Sequence, residues 1–194
     1  QHIVDAAERR QTGSAANTIV GQARDALLAA GHAIGIVSGS GTGSIADDAG
    51  AGLYTEHQVG SYVFMDQDYH AVRQPGGEPL PFDFSLFVLG TVVSASHEGR
   101  ATIDVGTKAL AHNGPMPTVI LGAPPGTRYA FAGDEHGLLH YPPGVSGPVI
   151  GDRVALCASH CDPTVNLFDA YHLCEGGRVV DVWPVCGRYH HAER

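Results

Sequence analysis

The chain is 194 residues long and contains a single lysine, Lys108. Its net charge is −9 and no basic run is present, so it lacks the electrostatic footprint that a phosphate backbone requires. No nucleic-acid partner is expected. Long hydrophobic runs are also missing: the longest, FSLFVLGTVVSA, is too short to span a bilayer and is broken by polar residues. No membrane partner is expected either. No charged-then-apolar leader opens the chain, and QHIVDAAERR, with Gln1 in place of an initiator Met, reads as the interior of a longer sequence. Cysteine is absent before the last quarter, where Cys157, Cys161, Cys174 and Cys186 crowd together. Two disulfides in a secreted protein is one reading of that pattern. Nothing else points outside the cell, so reduced thiols and a cytoplasmic location are expected.

What is abundant is glycine and proline, with 26 and 12 residues, in a chain of ordinary apolar content. That combination predicts many turns and short strands. NTIVGQARDALLAA, from Asn17 to Ala30, carries apolar residues at helical spacing, and Gly31 supplies a stop. HAIGIVS then reads as a strand, followed by a glycine turn and the helix-like IADDAG, the order of an α/β unit. YTEHQVGSYVFMD reads as a second strand. After Asp66 a Gly/Pro-rich connector, QDYHAVRQPGGEPLP, leads into FSLFVLGTVVSAS, RATIDVG, TVILGA, GDRVALCAS and RVVDVWPV, each bounded by turn residues. The expected division is an α/β portion over residues 1–66 and a mostly β domain over residues 67–194.

Two short segments carry chemistry. In VSGSGTGS, Gly39, Gly41 and Gly43 permit backbone angles at which successive N–H groups converge on an anion, and Thr42 and Ser44 add hydroxyls. A nucleotide P-loop is excluded because no Gly-Lys-Ser/Thr follows, and the dinucleotide pattern fails where Ser44 replaces its third glycine. A plain strand-to-helix turn explains the segment equally well. In ASHCDPTVNLFDAY, strand alternation would put His160 and Asp162 on one face and turn Cys161 to the other, where it packs. One nitrogen and one oxygen donor suit a divalent ion acting as a Lewis acid. A His–Asp hydrogen bond that ties down a loop satisfies the same spacing. His136, beside Glu135, is open to either a ligand-orienting or a turn-capping role, and His190 and His191 read as solvated tail.

The ordered set TEHQVGSYVFMD, GRATIDVGTKAL, DEHG, GDRV and SHCDPTVNLFD…GRVVDVWPV resembles the D-threonine aldolase and D-serine dehydratase-like family of pyridoxal phosphate enzymes. The likeness extends over nearly the whole chain. It implies the C-terminal part of an alanine racemase-like α/β barrel followed by a mostly β domain. It also implies that Gly41 and Thr42 hold the cofactor phosphate, joined by Gly60 and Ser61 with Tyr62 adjacent. Gln58 falls where racemases place an arginine against the pyridine nitrogen, so a neutral amide would tune the ring. His160 and Asp162 match the family's metal pair. The aldolase branch shows His-x-Asp and the dehydratases His-x-Cys, so Asp162 favours retro-aldol cleavage of a D-3-hydroxy amino acid to glycine and an aldehyde. His160 is the expected catalytic residue.

The implied metal is manganese, magnesium or cobalt, or zinc in a dehydratase, and the implied assembly is a homodimer. Asp104, Thr107 and Lys108 fall in the domain that reaches the partner's cofactor in racemase-like dimers, and Thr107 stands near the place of the racemase tyrosine. The family's Schiff-base lysine lies upstream of any segment present here. Lys108, in a β-domain motif, is not its counterpart, so the chain by itself is expected to be inactive. The alternatives are a D-serine or D-hydroxyaspartate dehydratase on the same scaffold, or a non-catalytic metal- and phosphate-binding β module.

Overall fold

The computed structural model describes residues 1–187 and divides the chain into two compact units, one from Gln1 to Ser85 and one from Leu86 onward. His190 and His191 lie outside the described residues.

In the first unit, helix α1 runs Ala6–Ala29, starting well before the expected Asn17. Its start is fixed by Asp5, whose carboxylate accepts the Glu8 amide at 2.8 Å and so satisfies one of the first-turn donors. Asp5 followed by Glu8 is a helix-start pattern, and Gly13 interrupts the apolar period without breaking the backbone. Gly31, at φ 85°, closes the far end with its amide on Leu28 O. Both strands expected in this region contract. HAIGIVS yields only β1, Ser38–Gly39, and YTEHQVGSYVFMD yields only β2, Glu56–His57, before a 3₁₀ turn over Ser61–Val63. The two pair in parallel as an isolated two-stranded sheet, with α2, Ile45–Gly50, between them. A parallel pair hydrogen-bonded on one side only has little to extend it, and Ile36, in the expected strand, remains 65 % exposed. The short α3, Gln67–His70, is capped by Asp66, whose Oδ1 accepts Tyr69 N at 3.0 Å.

The connector packs with this unit through polar ties. Buried Arg9 donates Nη1 to Ile3 O at 2.8 Å and Nη2 to Arg73 O at 2.6 Å. Ser85 N reaches Phe64 O at 2.9 Å.

The second unit is a six-stranded antiparallel sheet of β3 (Val88–His97), β4 (Arg100–Ile103), β5 (Thr118–Leu121), β6 (Arg128–Phe131), β7 (Gly137–His140) and β8 (Arg153–Cys157). Their order is β5-β8-β3-β4-β7-β6, and the edge strands β5 and β6 come back into contact, nearly closing the sheet. Ile103, Leu110, Leu139, Leu156, Val92, Val105 and Val154 fill its interior. Alternation places them there: Ala101 and Ile103 are buried along β4, and Leu139 along β7. β6 and β7 lie outside the expected set because four residues on either side of GDEHG are too few to show a period of two. A separate hairpin pairs β9, Ala170–Glu175, with β10, Arg178–Pro184. No helix among the described residues is long and apolar enough to cross a membrane.

Candidate functional site

The glycine turn is closed by its own backbone, with the amides of Ser44 and Ile45 both on Gly41 O at 3.0 Å. Gly41, Thr42 and Gly43 are buried. A side chain at Gly41 or Gly43 would collide with Gln1, which lies against the turn, and one at Gly39 would strike the Tyr54 ring. Thr42 Oγ1 accepts Tyr62 N at 3.2 Å, joining this turn to the Gly60–Tyr62 segment. That bond commits the Tyr62 amide but leaves the Thr42 hydroxyl hydrogen free to be donated. Ser61 is buried, while Gln58 and Gly60 are exposed, and Gln58 N bonds Gly39 O at 2.9 Å. Beside the turn lies an apolar pocket of about 160 Å³ lined by Thr42, Ile45, Val59, Tyr62 and Phe82. Gly41, Thr42, Gly60, Ser61 and Tyr62 therefore form one neighbourhood.

His160 and Asp162 are not on a strand. β8 ends at Cys157, His160 caps α4 (Cys161–Val165) in an extended conformation, and Asp162 sits in that helix's first turn. Strand alternation is thus the wrong reason for their proximity, yet His160 Nε2 stands 3.3 Å from Asp162 Oδ2. The helical turn brings them together by curling Asp162 back toward its cap. It also overturns the expectation that Cys161 faces away: the buried thiol lies 3.5 Å from Asp162 Oδ1 and within 4.8 Å of a His160 ring nitrogen. Pro163 in the first turn is the signal that distinguishes a helix start from a continuing strand. A six-coordinate ion bound at about 2.1 Å sets neighbouring donors about 3.0 Å apart, so this nitrogen–oxygen pair fits two positions on one divalent cation. Asp162 is mostly exposed and His160 largely covered, leaving the carboxylate side open to a ligand.

The remaining candidates are structural in their contacts. Asp104 Oδ1 accepts Thr91 N at 2.6 Å, Thr107 Oγ1 donates to Asp134 Oδ1 at 3.3 Å, and Lys108 pairs with Glu135. The first of these bonds ties DVGTKAL to β3 and the other two pin it to the β6–β7 hairpin, on which His136 is exposed. All four cysteines are unbridged.

The family model for the "Putative serine dehydratase domain" matches residues 85–174. The D-threonine aldolase of Arthrobacter sp is 38% identical over 97% of this chain and 48% of its own length. The chain belongs to the D-threonine aldolase and D-serine dehydratase-like family. Among solved members, the D-threonine aldolase from Filomicrobium marinum superposes with a TM-score of 0.85 at 36% identity, over 95% of this chain and 49% of that one. The D-threo-3-hydroxyaspartate dehydratase from Delftia sp. HT23 follows with a TM-score of 0.72 at 25% identity, over 94% of this chain and 52% of that one. The expected architecture, part of an alanine racemase-like barrel and a mostly β domain, is that of these neighbours. The chain spans about half the length of the relatives it matches.

Sequence reasoning missed a polar cluster in this family member. Asp48 is buried, takes a hydrogen bond from Asn17 Nδ2 at 3.0 Å, and through Asn17 Oδ1 is linked to the Tyr54 hydroxyl at 2.8 Å. The available signal was the acidic pair of IADDAG, of which Asp47 meets Arg10 and Asp48 is buried.

Proposed function

We propose that the whole protein carrying these residues is a pyridoxal phosphate- and divalent metal-dependent aldolase that cleaves D-3-hydroxy amino acids to glycine and an aldehyde. The observation that carries the reading is the His160–Asp162 pair, whose 3.3 Å separation suits one hard cation. The 38% identity to a D-threonine aldolase supports the same choice.

In this reading Gly41 and Thr42 hold the cofactor phosphate with a backbone amide and a hydroxyl, aided by Gly60 and Ser61, with Tyr62 alongside. The turn's donors suit such a group, since the Thr42 hydroxyl hydrogen is still available after Oγ1 accepts the Tyr62 amide. Gln58 faces the pyridine nitrogen as a neutral amide. His160 and Asp162 hold manganese, magnesium or cobalt. When bound, the ring supplies the electron sink for Cα–Cβ cleavage and the ion supplies Lewis acidity at the β-hydroxyl. His160 is the catalytic residue of this reading: with Asp162 it would hold the ion, whose Lewis acidity would favour loss of the substrate hydroxyl's proton, and exposed Asp162 keeps that side accessible. The lysine that anchors the cofactor is supplied from outside these residues, since Lys108 is committed to Glu135 in the β unit. A cytoplasmic homodimer is part of the proposal.

Product analysis of the whole protein with a D-3-hydroxy amino acid, pyridoxal phosphate and Mn²⁺ tests it. Glycine with an equimolar aldehyde is expected, and an oxoacid with ammonia would replace this reading by the dehydratase one. That second reading, with zinc as its metal, has one observation of its own: the Cys161 thiol lies close to His160.

A further inference from the structure

Directly opposed residues of an antiparallel sheet have Cα atoms about 4.5–5.5 Å apart and project from the same face. In the second unit one such row crosses four neighbouring strands. His97 on β3 is opposite Arg100 on β4, Arg100 is opposite His140 on β7, and His140 is opposite Arg128 on β6. On β4, β7 and β6 the row points outward, because the chain neighbours Ala101, Leu139 and Tyr129 are buried in the core. His97, Arg100 and Arg128 are exposed and His140 is half-buried. Among the described residues none of the four side chains has a hydrogen bond, an ion pair or a ring contact. Basic groups aligned across strands repel one another, so the row costs stability until an anion meets it. The chain has acids to spare, 20 against 11 lysines and arginines, but not here. No acid occurs from Val105 to Gly133 or from His136 to Gly151, the stretches that supply β6, β7 and the loops entering β6 and leaving β7 beside Arg128 and His140. Glu98, in the turn joining His97 to Arg100, is exposed and makes no ion pair among the described residues.

We infer that this row is a binding site for a small condensed phosphate, a triphosphate anion. Arg100 and Arg128 lie two strands apart, about 10 Å between backbones, and each presents a guanidinium fork that fits two oxygens of one phosphoryl group. Side chains stand roughly perpendicular to a sheet, so the two forks stay separated. The outer groups of a triphosphate span that gap, and a single phosphate does not. His140 stands between the arginines, opposite the middle group, and His97 extends the row beyond Arg100. Four residues are too few to track a polymer backbone, which agrees with the acidic charge of the chain as a whole. The inference goes beyond the cofactor reading and uses none of the residues assigned to the cofactor or the metal.

The test is calorimetric titration of the metal-free full chain with sodium triphosphate and with orthophosphate at one ionic strength. Triphosphate should bind about tenfold more tightly or better, since it engages a second charge-assisted contact. Arg100→Gln and Arg128→Gln should each weaken triphosphate binding roughly tenfold. Both positions are exposed, so the fold should survive either change. Arg128→Lys keeps the charge without the fork and should recover only part of the loss. The ring-proton resonances of His97 and His140 should shift as triphosphate is added, which fixes the place of binding. Equal affinity for the two anions, or triphosphate binding unchanged in both glutamine variants, overturns the inference. Full retention by Arg128→Lys overturns it as well, reducing the row to unspecific charge. Displacement of triphosphate by pyridoxine 5′-phosphate would also overturn it, by assigning the anion to the glycine turn, and would leave the cofactor reading standing.

Discussion

The two units bury different things. From Gln1 to Ser85 the buried set includes Arg9, Thr42, Asp48, Ser61 and Asp66, held by specific hydrogen bonds, alongside a few apolar side chains such as Leu53, Met65 and Val72. From Leu86 onward the buried set is almost entirely apolar, and among the described residues only Ser159 and Thr164 are polar. One unit is wired and the other is packed. The difference teaches where function can be placed. In the proposed reading, a turn that presents amides to an anion has its backbone fixed by polar partners, whereas the His160–Asp162 pair sits just beyond the end of β8, a strand of the dry sheet.

The sharpest way to break that comparison is to cut into the packed core. Leu139→Ala, at a fully buried position on β7, should cost about 2–5 kcal/mol in urea unfolding of the second unit, through lost transfer energy and the cavity left behind. Leu53→Ala in the first unit should cost clearly less, because Leu53 keeps some exposure and lies outside the apolar core cluster that holds Leu139. Equal costs would mean the two units are packed alike. Arg9→Met is the matching cut in the wired unit. Removing a guanidinium that serves Ile3 O and Arg73 O strands those carbonyls and should cost about 1–3 kcal/mol, read by limited proteolysis of the first unit. Asp162→Ala sharpens the comparison from the side of chemistry. Mn²⁺ affinity measured by titration should fall roughly tenfold, while thermal stability stays within about 0.5 kcal/mol because the side chain is exposed. Unchanged affinity would make the His–Asp pair a structural tie only.

The same contrast explains how much was legible in the sequence. β3, β4, β5 and β8 follow from alternation and turn residues, because a packed sheet imposes a period of two on its strands, while β10, exposed throughout in its separate hairpin, follows from its β-branched composition and bounding turn. HAIGIVS has the composition of a strand but only two residues of ladder, since strand length is set by partners that composition does not reveal. His160 and Asp162 were legible as a pair for the wrong geometric reason, with Pro163 overlooked as the mark of a helix start. The Asp48 cluster was legible only as the acidic pair of IADDAG: Asn17 lies 31 residues from Asp48 and 37 from Tyr54, and nothing in residue type announces a hydrogen bond across such separations.

Titration offers the finest version of the comparison, because opposite ends of the pH scale should open opposite units. Burial alone would raise the Asp48 pKa, but the hydroxyl of Ser44, the amide of Asn17, the hydroxyl of Ser40 and the charge of His57 outweigh it and hold the carboxyl below its usual value. In the unfolded chain an aspartate titrates near about 3.9, so the stability Asp48 supplies is present above that pH and lost as pH falls through its lower folded value. Acid should therefore loosen the first unit, and Asp48→Asn should flatten that acid limb. Tyr129 has the opposite sign: burial pushes its phenol well above the usual range, and its hydroxyl donates to Val105 O at 2.8 Å. Its contribution is complete below about pH 10 and declines as pH rises further, since the unfolded chain then loses a proton that the folded unit retains. Alkali should loosen the second unit, with Tyr129→Phe showing a shallower decline. Proteolysis at about pH 3 to 4 and again above about pH 10, with the cut sites mapped by mass spectrometry, reads which unit opens first. Cleavage beginning in the same unit at both extremes would contradict the division between a wired and a packed half.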